Sequence, residues 1–376
     1  MVRSATLLNK ALSGVDFMPN SILFKSFLSI VSAKYFEKYS PLNVELLITK
    51  QCNFYCAYCS IDRSQVDIPL PKLFELIDEL AEMGTTRIRI SGGEPLLRLD
   101  LKDIVSRMND RNIQSVLITN GYLLSQRVDQ WREVHSLYLS LDGSEEEQNI
   151  NRQKGSLAKV LEGLKVARDL GKPVTLAATL TEKTATQKNI DWLIALAKDN
   201  DCKLAISSAS AAPYLTVEPD DGGDKTVEEI QGTMPIPEKI VEVIRRLISE
   251  IKSGDGPFAF PAKPYEAQLK WPDFSRQRFE KSEMNGLDFS GFPKDCYAGK
   301  TSAFIDGDGR MFPCSWTTGL IGGKSIYDPG GAKEAFKDIN CHDCKHCWNS
   351  GLLYSNYLSD MDPGILWHTI KGVLFK

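Results

Sequence analysis

Cys52, Cys56 and Cys59 form a C-x3-C-x2-C array directly after an apolar, β-rich run at residues 43–49. Thiols at this spacing are too close for unstrained disulfides, but they suit thiolates converging on one metal centre. A second group, Cys296, Cys314, Cys341, Cys344 and Cys347, lies in the last quarter of the chain, and Cys202 stands alone between the two. An odd count of nine, gathered in clusters, does not read as a secreted disulfide framework and implies a reducing, cytoplasmic setting.

Composition narrows the remaining classes. At 376 residues the chain exceeds one average domain, and 42% hydrophobic with 25% charged residues excludes wholesale disorder and coiled coil. A net charge of −4 weighs against nucleic acid as a partner. No uncharged apolar run is long enough to span a membrane.

Strand-like runs at 43–49, 87–91, 115–119, 137–141, 174–180 and 204–208 alternate with helical periodicity at 71–83, 101–108, 157–170 and 190–197. Six such repeats predict parallel strands with right-handed crossovers, as an open sheet or a barrel, with the active site at the C-terminal strand ends. The cysteine triplet, Gly92–Pro95, Asn120-Gly121 and Asp142-Gly143 follow the first four strands in turn. Cys202 starts the sixth strand at the opposite end and reads as structural.

Three thiolates can hold three irons of a [4Fe–4S] cube, leaving the fourth iron open for chemistry. A zinc knuckle is the competing reading. The segment Cys52–Cys59, with Tyr58 just before the third cysteine, together with Gly92-Gly93-Glu94-Pro95, resembles the signature of the radical S-adenosylmethionine (SAM) superfamily over roughly residues 43–210. The resemblance implies an α/β fold, a partial (β/α)6 TIM-type barrel. It also implies a [4Fe–4S] cluster that binds SAM, fed by a reducing partner such as flavodoxin or ferredoxin. One electron would cleave SAM to methionine and a 5′-deoxyadenosyl radical, which takes a hydrogen atom from substrate.

Further site roles come with that resemblance. Gly92 and Gly93 would let the backbone approach the methionine moiety, Glu94 would face its ammonium, and Pro95 would stiffen the turn. Tyr58 resembles the aromatic beside the adenine. Ser140 and Asp142 sit where relatives bind the ribose, with Asn120 nearby. Arg152 resembles an arginine placed on the SAM carboxylate, although the histidine common before it is Gln148 here. Turn former, helix cap and surface charge are the competing readings for Ser140, Asn120 and Arg152.

Cys296 and Cys314, flanking the turn-forming Asp306-Gly307-Asp308-Gly309, resemble the opening hairpin of the SPASM/twitch extension of such enzymes. Five cysteines are fewer than a full SPASM domain carries. The resemblance therefore implies one auxiliary [4Fe–4S] cluster held by Cys296, Cys314 and two of the last three, Cys341 and Cys344 first. Cys347 would then be surplus, a ligand in place of a neighbour, or a hydrogen-atom donor. His342 and His346 interleave with these cysteines, so a zinc site is the alternative.

The expected organisation is an N-terminal amphipathic helical segment (1–42), the barrel (43–212), a bridge (213–295), the cluster-binding extension (296–350) and a helical tail (351–376). The bridge is rich in aromatics and is a candidate substrate-facing region, with anchoring of a long connection the equal alternative. Its Glu218, Asp220 and Asp221 read as solvated loop charges. Both ends are expected to pack on the barrel, with peripheral membrane contact as the alternative.

The expected function is an oxidoreductase-type radical SAM enzyme acting on an unactivated C–H bond of an unidentified substrate. Too few residues precede Cys52 for the leader-binding domain of many peptide-maturing relatives, which weakens without excluding a ribosomal-peptide substrate and keeps a small-molecule, sugar or lipid substrate open. A non-catalytic iron–sulfur electron carrier is the remote alternative, disfavoured because a carrier has no use for an open iron.

Overall fold

The computed structural model describes residues 20–374, except 60, 62, 64–66, 210–226, 255, 275, 319–322 and 340–342. Strands β1 (Asn43–Thr49), β2 (Arg87–Gly92), β3 (Gln114–Thr119), β4 (Ser136–Ser140), β5 (Val174–Leu180) and β6 (Lys203–Ser208) run parallel and side by side in chain order. The six predicted strands are all present. The sheet stays open, as a partial barrel.

Helices cover the sheet because their apolar stripes have nowhere else to go. After α1 (Asn20–Phe36), helix α2 (Leu70–Glu82) begins on Pro71 in its first turn and buries Leu73, Leu76, Ile77 and Leu80, the i, i+3, i+4, i+7 stripe of one face. The same logic seats α3 (Leu101–Asp110) and, after the short α4 (Val128–Trp131), places Trp131 fully inside the core. Helix α5 (Glu145–Asn151) has no such stripe and escapes periodicity. Three glutamates in its first turn, Glu145–Glu147, complement the positive end of its dipole. Helices α6 (Leu157–Asp169) and α7 (Gln187–Asp199) complete the barrel.

The bridge supplies α8 (Val227–Gln231), α9 (Pro237–Ser253), α10 (Ala262–Gln268) and the short strand β7 (Arg278–Glu280). Gly254 ends α9 in the left-handed conformation, and Phe258 then bridges to Leu204 on the free edge of β6. Trp271, Phe279, Phe289 and Phe292 pack edge-on or tilted at centroid distances of 5.1–5.9 Å, so these bridge aromatics are anchors. Glu218, Asp220 and Asp221 lie outside the described residues.

The extension is woven into the barrel instead of hanging from it. Strand β8 (Ser302–Ile305) pairs parallel with β1, from Asn43↔Ser302 to Leu46↔Ile305, and β9 (Met311–Phe312) returns antiparallel to it. The predicted hairpin therefore forms, but as an added edge of the barrel sheet. After α11 (Gly331–Ile339), strand β10 (Cys344–Cys347) pairs antiparallel with β7 of the bridge, across the boundary expected at 295. Strands of two to four residues carry too little periodicity to be read in advance.

Helices α12 (Ser350–Ser359) and α13 (Pro363–Leu374) close the chain, and α12 lies against both α1 and α13. On α1, Ile30 and Ala33 are buried while Phe27, Leu28, Tyr35 and Phe36 are exposed. The Lys34 ammonium donates to the Asp360 carbonyl, tying α1 to the end of α12. No described helix is long and apolar enough to cross a membrane.

Two contacts fix the end of β1. A Cβ on Gly92 would lie 2.2 Å from the Thr49 carbonyl oxygen, and one on Gly93 would lie 2.2 Å from that of Gln51. Gly93 N–H and Glu94 N–H donate to those same two carbonyls, each at 2.8 Å. The paired glycines are thus needed for packing against the strand that feeds the cysteine loop, a nearer reason than approach to a ligand. From the other side, Lys50 Nζ bonds Asp306 Oδ2 at 2.8 Å, with both side chains about nine-tenths buried.

Two outcomes follow. Gly93→Ala must push backbone aside and is expected to destabilise the protein by about 2 kcal/mol, read as a lower urea midpoint. Asp306→Ala leaves a buried ammonium unpaired and is expected to cost about 3 kcal/mol. The exposed pair Lys165–Asp169 is the control, and Asp169→Ala should cost under about 0.5 kcal/mol.

Candidate functional site

The parallel strands deliver their C-terminal ends to one edge, and the first four carry the chemistry. The cysteine loop leaving β1 is held from several directions. Phe54 is buried and meets Tyr122 edge-on at 5.7 Å. The Ala57 N–H donates to the Asn151 carbonyl at 2.7 Å, and Arg63 donates to the Phe54 carbonyl at 2.6 Å. Asn120, just past β3, reaches Asn53 through its side-chain amide at 2.8 Å. A loop that must present three thiols at fixed positions is thereby pinned by neighbours on β3 and α5.

Glu94 is fully buried and joins the ends of β2 and β3. It accepts from Thr119 Oγ1 at 2.8 Å, Asn120 N–H at 2.7 Å and Leu96 N–H at 3.1 Å. Burial pushes its carboxyl up to about 7, against three donors that favour the ionised form. Pro95 opens the following single turn of 3-10 helix, with Glu94 as its cap.

Asp142, just past β4, is the hub of a second network. Its carboxylate accepts Nε and Nη2 of Arg152 at 2.8 and 3.0 Å, Tyr58 O–H at 2.7 Å and Thr179 N–H at 2.9 Å. Arg152 also lies over the Tyr58 ring, 5.6 Å from its centroid. Arg152 is therefore a buried ion-pair partner and not a surface charge. The carboxylate expected near a ribose is already engaged by protein donors. Gln148, standing where relatives have histidine, is fully buried and accepts from Asp142 N–H at 3.0 Å. Ser140 ends β4 half-buried, in register with Ala177 of β5.

In the first cysteine group Cys56 is buried and Cys52 and Cys59 are half-buried. Burial, joined by repulsion from its neighbouring thiols, pushes Cys56 up to about 11 and Cys52 above its ordinary value. Such a trio ionises together only beside a compensating cation, which is the environment an iron cluster supplies.

The second group forms where the hairpin meets β10. Cys296, Cys314, Cys344 and Cys347 interact electrostatically with one another, and Cys344 lies within hydrogen-bonding reach of Cys296. Burial and repulsion from neighbouring thiols raise Cys314 to about 12 and push Cys347 far above the usual range, and the hydrogen bond with Cys296, then burial, does the same to Cys344. Cys341 and His342 lie outside the described residues. His346 points the other way, its ring 4.7 Å from Phe289 and 5.4 Å from Phe292, and burial lowers it to about 4. Among the described residues no three His, Cys, Asp or Glu side chains converge on a single-ion site. A four-iron cube is larger than one ion and holds its thiolates further apart. Cys202 is buried at the far end of the sheet and is pushed up to about 11 by burial.

Sequence reasoning missed Lys50, Asp306, Asn53 and Asn151. Asn151 adds a hydrogen bond to the Thr179 carbonyl at 3.0 Å and accepts one from Thr181 at 2.8 Å. Asn53 lies inside the cysteine segment and Asp306 inside the hairpin turn, but neither position announces its hydrogen-bond partner, and Lys50 and Asn151 belong to no motif.

Residues 46–190 match the model of the radical SAM superfamily. Over 166 residues the chain is 32% identical to GTP 3′,8-cyclase of Pectobacterium atrosepticum, covering 40% of this chain and 50% of that protein. It therefore spans about half the length of this curated relative. A longer match, 303 residues at 26% identity, is to AdoMet-dependent heme synthase of Methanosarcina barkeri and covers 75% of this chain and 79% of that protein. In fold, the chain is similar to Streptococcus suis SuiB bound to S-adenosylmethionine, with a TM-score of 0.59 at 14% identity, covering 84% of this chain and 68% of that one. Residues 46–190, which hold the three-cysteine loop and most of the parallel sheet, thus form a radical SAM domain.

Proposed function

We propose that the protein binds SAM at the edge formed by β1–β4 and uses it to take a hydrogen atom from an unactivated C–H bond, as an oxidoreductase-type enzyme served by an external one-electron reductant such as flavodoxin or ferredoxin. The observation that carries this reading is the convergence of the cysteine loop, the Gly92–Pro95 turn, Asn120 and the Asp142–Arg152 pair at one sheet edge, tied to one another by hydrogen bonds. Cys52, Cys56 and Cys59 would hold three irons of a [4Fe–4S] cube, which supplies an open iron for SAM and the electron that cleaves it.

This chain's residues would bind and orient. Nη1 of Arg152, left over after Asp142 takes Nε and Nη2, would meet the SAM carboxylate, and Asp142 would hold that guanidinium in place from behind. Tyr58, locked to Asp142 through its hydroxyl, would present a fixed ring to the adenine. Asp142 thus acts on SAM through Arg152 and Tyr58, while Ser140 is the end of β4 with a hydroxyl to offer the ribose.

Cys296, Cys314, Cys344 and Cys347, with Cys341 as the competing member, would hold one auxiliary cluster. That grouping favours Cys347 as a ligand over Cys347 as a hydrogen-atom donor. An auxiliary cluster so placed could accept the electron left on substrate after hydrogen abstraction.

Three outcomes test the proposal. Dithionite-reduced, anaerobically reconstituted protein is expected to form 5′-deoxyadenosine from SAM, and Cys56→Ala to abolish it; no product from the intact protein would leave an electron carrier as the better reading. Iron analysis should give about eight atoms per chain, falling to about four in Cys347→Ser, whereas about four in the intact chain sinks the auxiliary cluster. Arg152→Lys should weaken SAM binding by roughly ten- to a hundred-fold in equilibrium dialysis. Unchanged affinity would assign Arg152 to holding Asp142 and Tyr58 alone.

A further inference from the structure

Helix α1 is apolar on two sides, and the rest of the protein covers one of them. Ile30 and Ala33 are buried, whereas Phe27, Leu28, Tyr35 and Phe36 are between 45% and 67% exposed. Helical spacing puts these four on the outer half of the helix: Leu28 and Tyr35 lie two turns apart along its middle, and Phe27 and Phe36 border it. A helix that is apolar all round is normally enclosed, so the outer half calls for a second covering surface.

Charge narrows what that cover is. Lys25 and Lys38 are exposed beside the apolar residues, and Glu37 is the single acidic residue between positions 20 and 42. Residues 1–42 as a whole have five basic and two acidic side chains, a net +3 in a chain whose total is −4. The acidic groups at the end of α12, where Lys34 docks, are already engaged. Asp362 is ion-paired with Lys263, and the Asp360 carboxylate accepts from Lys294 N–H and the Tyr297 hydroxyl. Helix α13, packed on the same α12, has no acidic residue and exposes Trp367.

The outer side of α1 is thus aromatic with a basic border. A second copy of this chain, docked about a two-fold axis, would bring the same lysines face to face. An anionic phospholipid surface meets both demands, because aromatic rings favour the headgroup boundary and lysines are drawn to lipid phosphates. The face is also clear of the chemistry. Ser26 Oγ of α1 lies 3.3 Å from Thr86 Oγ1, and Thr86 directly precedes β2. That is the N-terminal end of the strands, opposite the edge from which the cysteine loop leaves.

We propose that the protein rests on an anionic phospholipid bilayer through the outer half of α1, with the edge that carries the cysteine loop left free. The helix lies on the membrane and does not cross it. The proposal goes beyond the radical SAM reading and does not depend on it.

Co-sedimentation of the anaerobically reconstituted full chain with two kinds of vesicle tests it, one of phosphatidylcholine alone and one of equal parts phosphatidylcholine and phosphatidylglycerol. Binding to the mixed vesicles is expected to saturate, to be at least about ten-fold tighter than to phosphatidylcholine, and to weaken as salt is raised. Replacing Phe27, Leu28, Tyr35 and Phe36 together by serine should weaken it by about a hundred-fold. Lys25→Glu combined with Lys38→Glu should remove about ten-fold from the mixed vesicles and leave phosphatidylcholine unchanged. These side chains are exposed, so the variants should fold, and their iron content checks that they have. Absence of binding by the intact chain, equal binding to both vesicles, or unchanged binding by the serine variant would overturn the proposal. So would a dimer, seen by analytical ultracentrifugation, that the serine substitutions dissolve, because the face would then belong to a second copy. None of these readouts uses SAM cleavage. A protein that makes no 5′-deoxyadenosine yet binds the mixed vesicles loses the function and keeps the membrane surface.

Discussion

The close approach of the Gly92-Gly93 turn to the last residues of β1 is the contact on which the site depends. Each glycine lacks a Cβ where one would overlap a backbone oxygen of Thr49 or Gln51, and each of the next two N–H groups bonds one of those oxygens. A carbonyl that is both a hydrogen-bond acceptor and a steric wall leaves the turn one position. The cysteine loop starts at Cys52, one residue beyond Gln51, so its origin is set by the same contact. Glu94 then carries the constraint to β3 through Thr119 and Asn120, and Asn120 returns it to the loop through Asn53. The three thiols are thus held by a closed ring of short bonds.

A second ring is built on charge. Asp142 is completely buried, and an isolated carboxylate there would be strongly penalised. Its bidentate pair with Arg152 and its bonds from Tyr58 and Thr179 meet that demand. The arrangement makes a neutral unit with a cationic face, since the guanidinium keeps one nitrogen in reserve. An anion arriving at Arg152 would find the guanidinium already oriented and desolvated, with little side-chain freedom left to lose.

Much of this was legible in the residues, and what was not has physical reasons. The six strands were readable because each is a run of five to seven residues with a buried face. Their order along the sheet followed from the alternation with helices. The place of Cys52, Cys56, Cys59, Gly92, Gly93 and Asn120 at one edge followed from that order. The roles of the glycines did not, because periodicity says where a turn falls and not which carbonyl it will touch. Asp142 and Arg152 were not legible as partners, being joined by a helix, α5, that has no apolar stripe. The β8–β9 hairpin was expected but its pairing with β1 was not, and β7 and β10 were invisible: three or four residues cannot announce a pairing, and Cys344–Cys347 reads as a ligand array before it reads as a strand.

The unforeseen pairing of β8 with β1 has the largest mechanical consequence. Strand β1 leads into the first cysteine group, and the hairpin of β8 and β9, added beside β1 in the same sheet, leads into Cys314, while Cys344 and Cys347 lie on β10 of the separate sheet with β7. The Lys50–Asp306 pair locks the hairpin turn to the residue two before Cys52, and Gly307 allows it, since a Cβ there would lie 2.9 Å from the Lys50 side chain. A tethered domain could vary its distance from the barrel; a shared sheet cannot without breaking backbone hydrogen bonds. Freedom to admit a ligand must then lie elsewhere. The bridge touches the barrel at the free edge of β6, through the short contact between Leu204 and Phe258, and reaches the extension through the four-residue strand β10. These short contacts are the weaker seams of the fold.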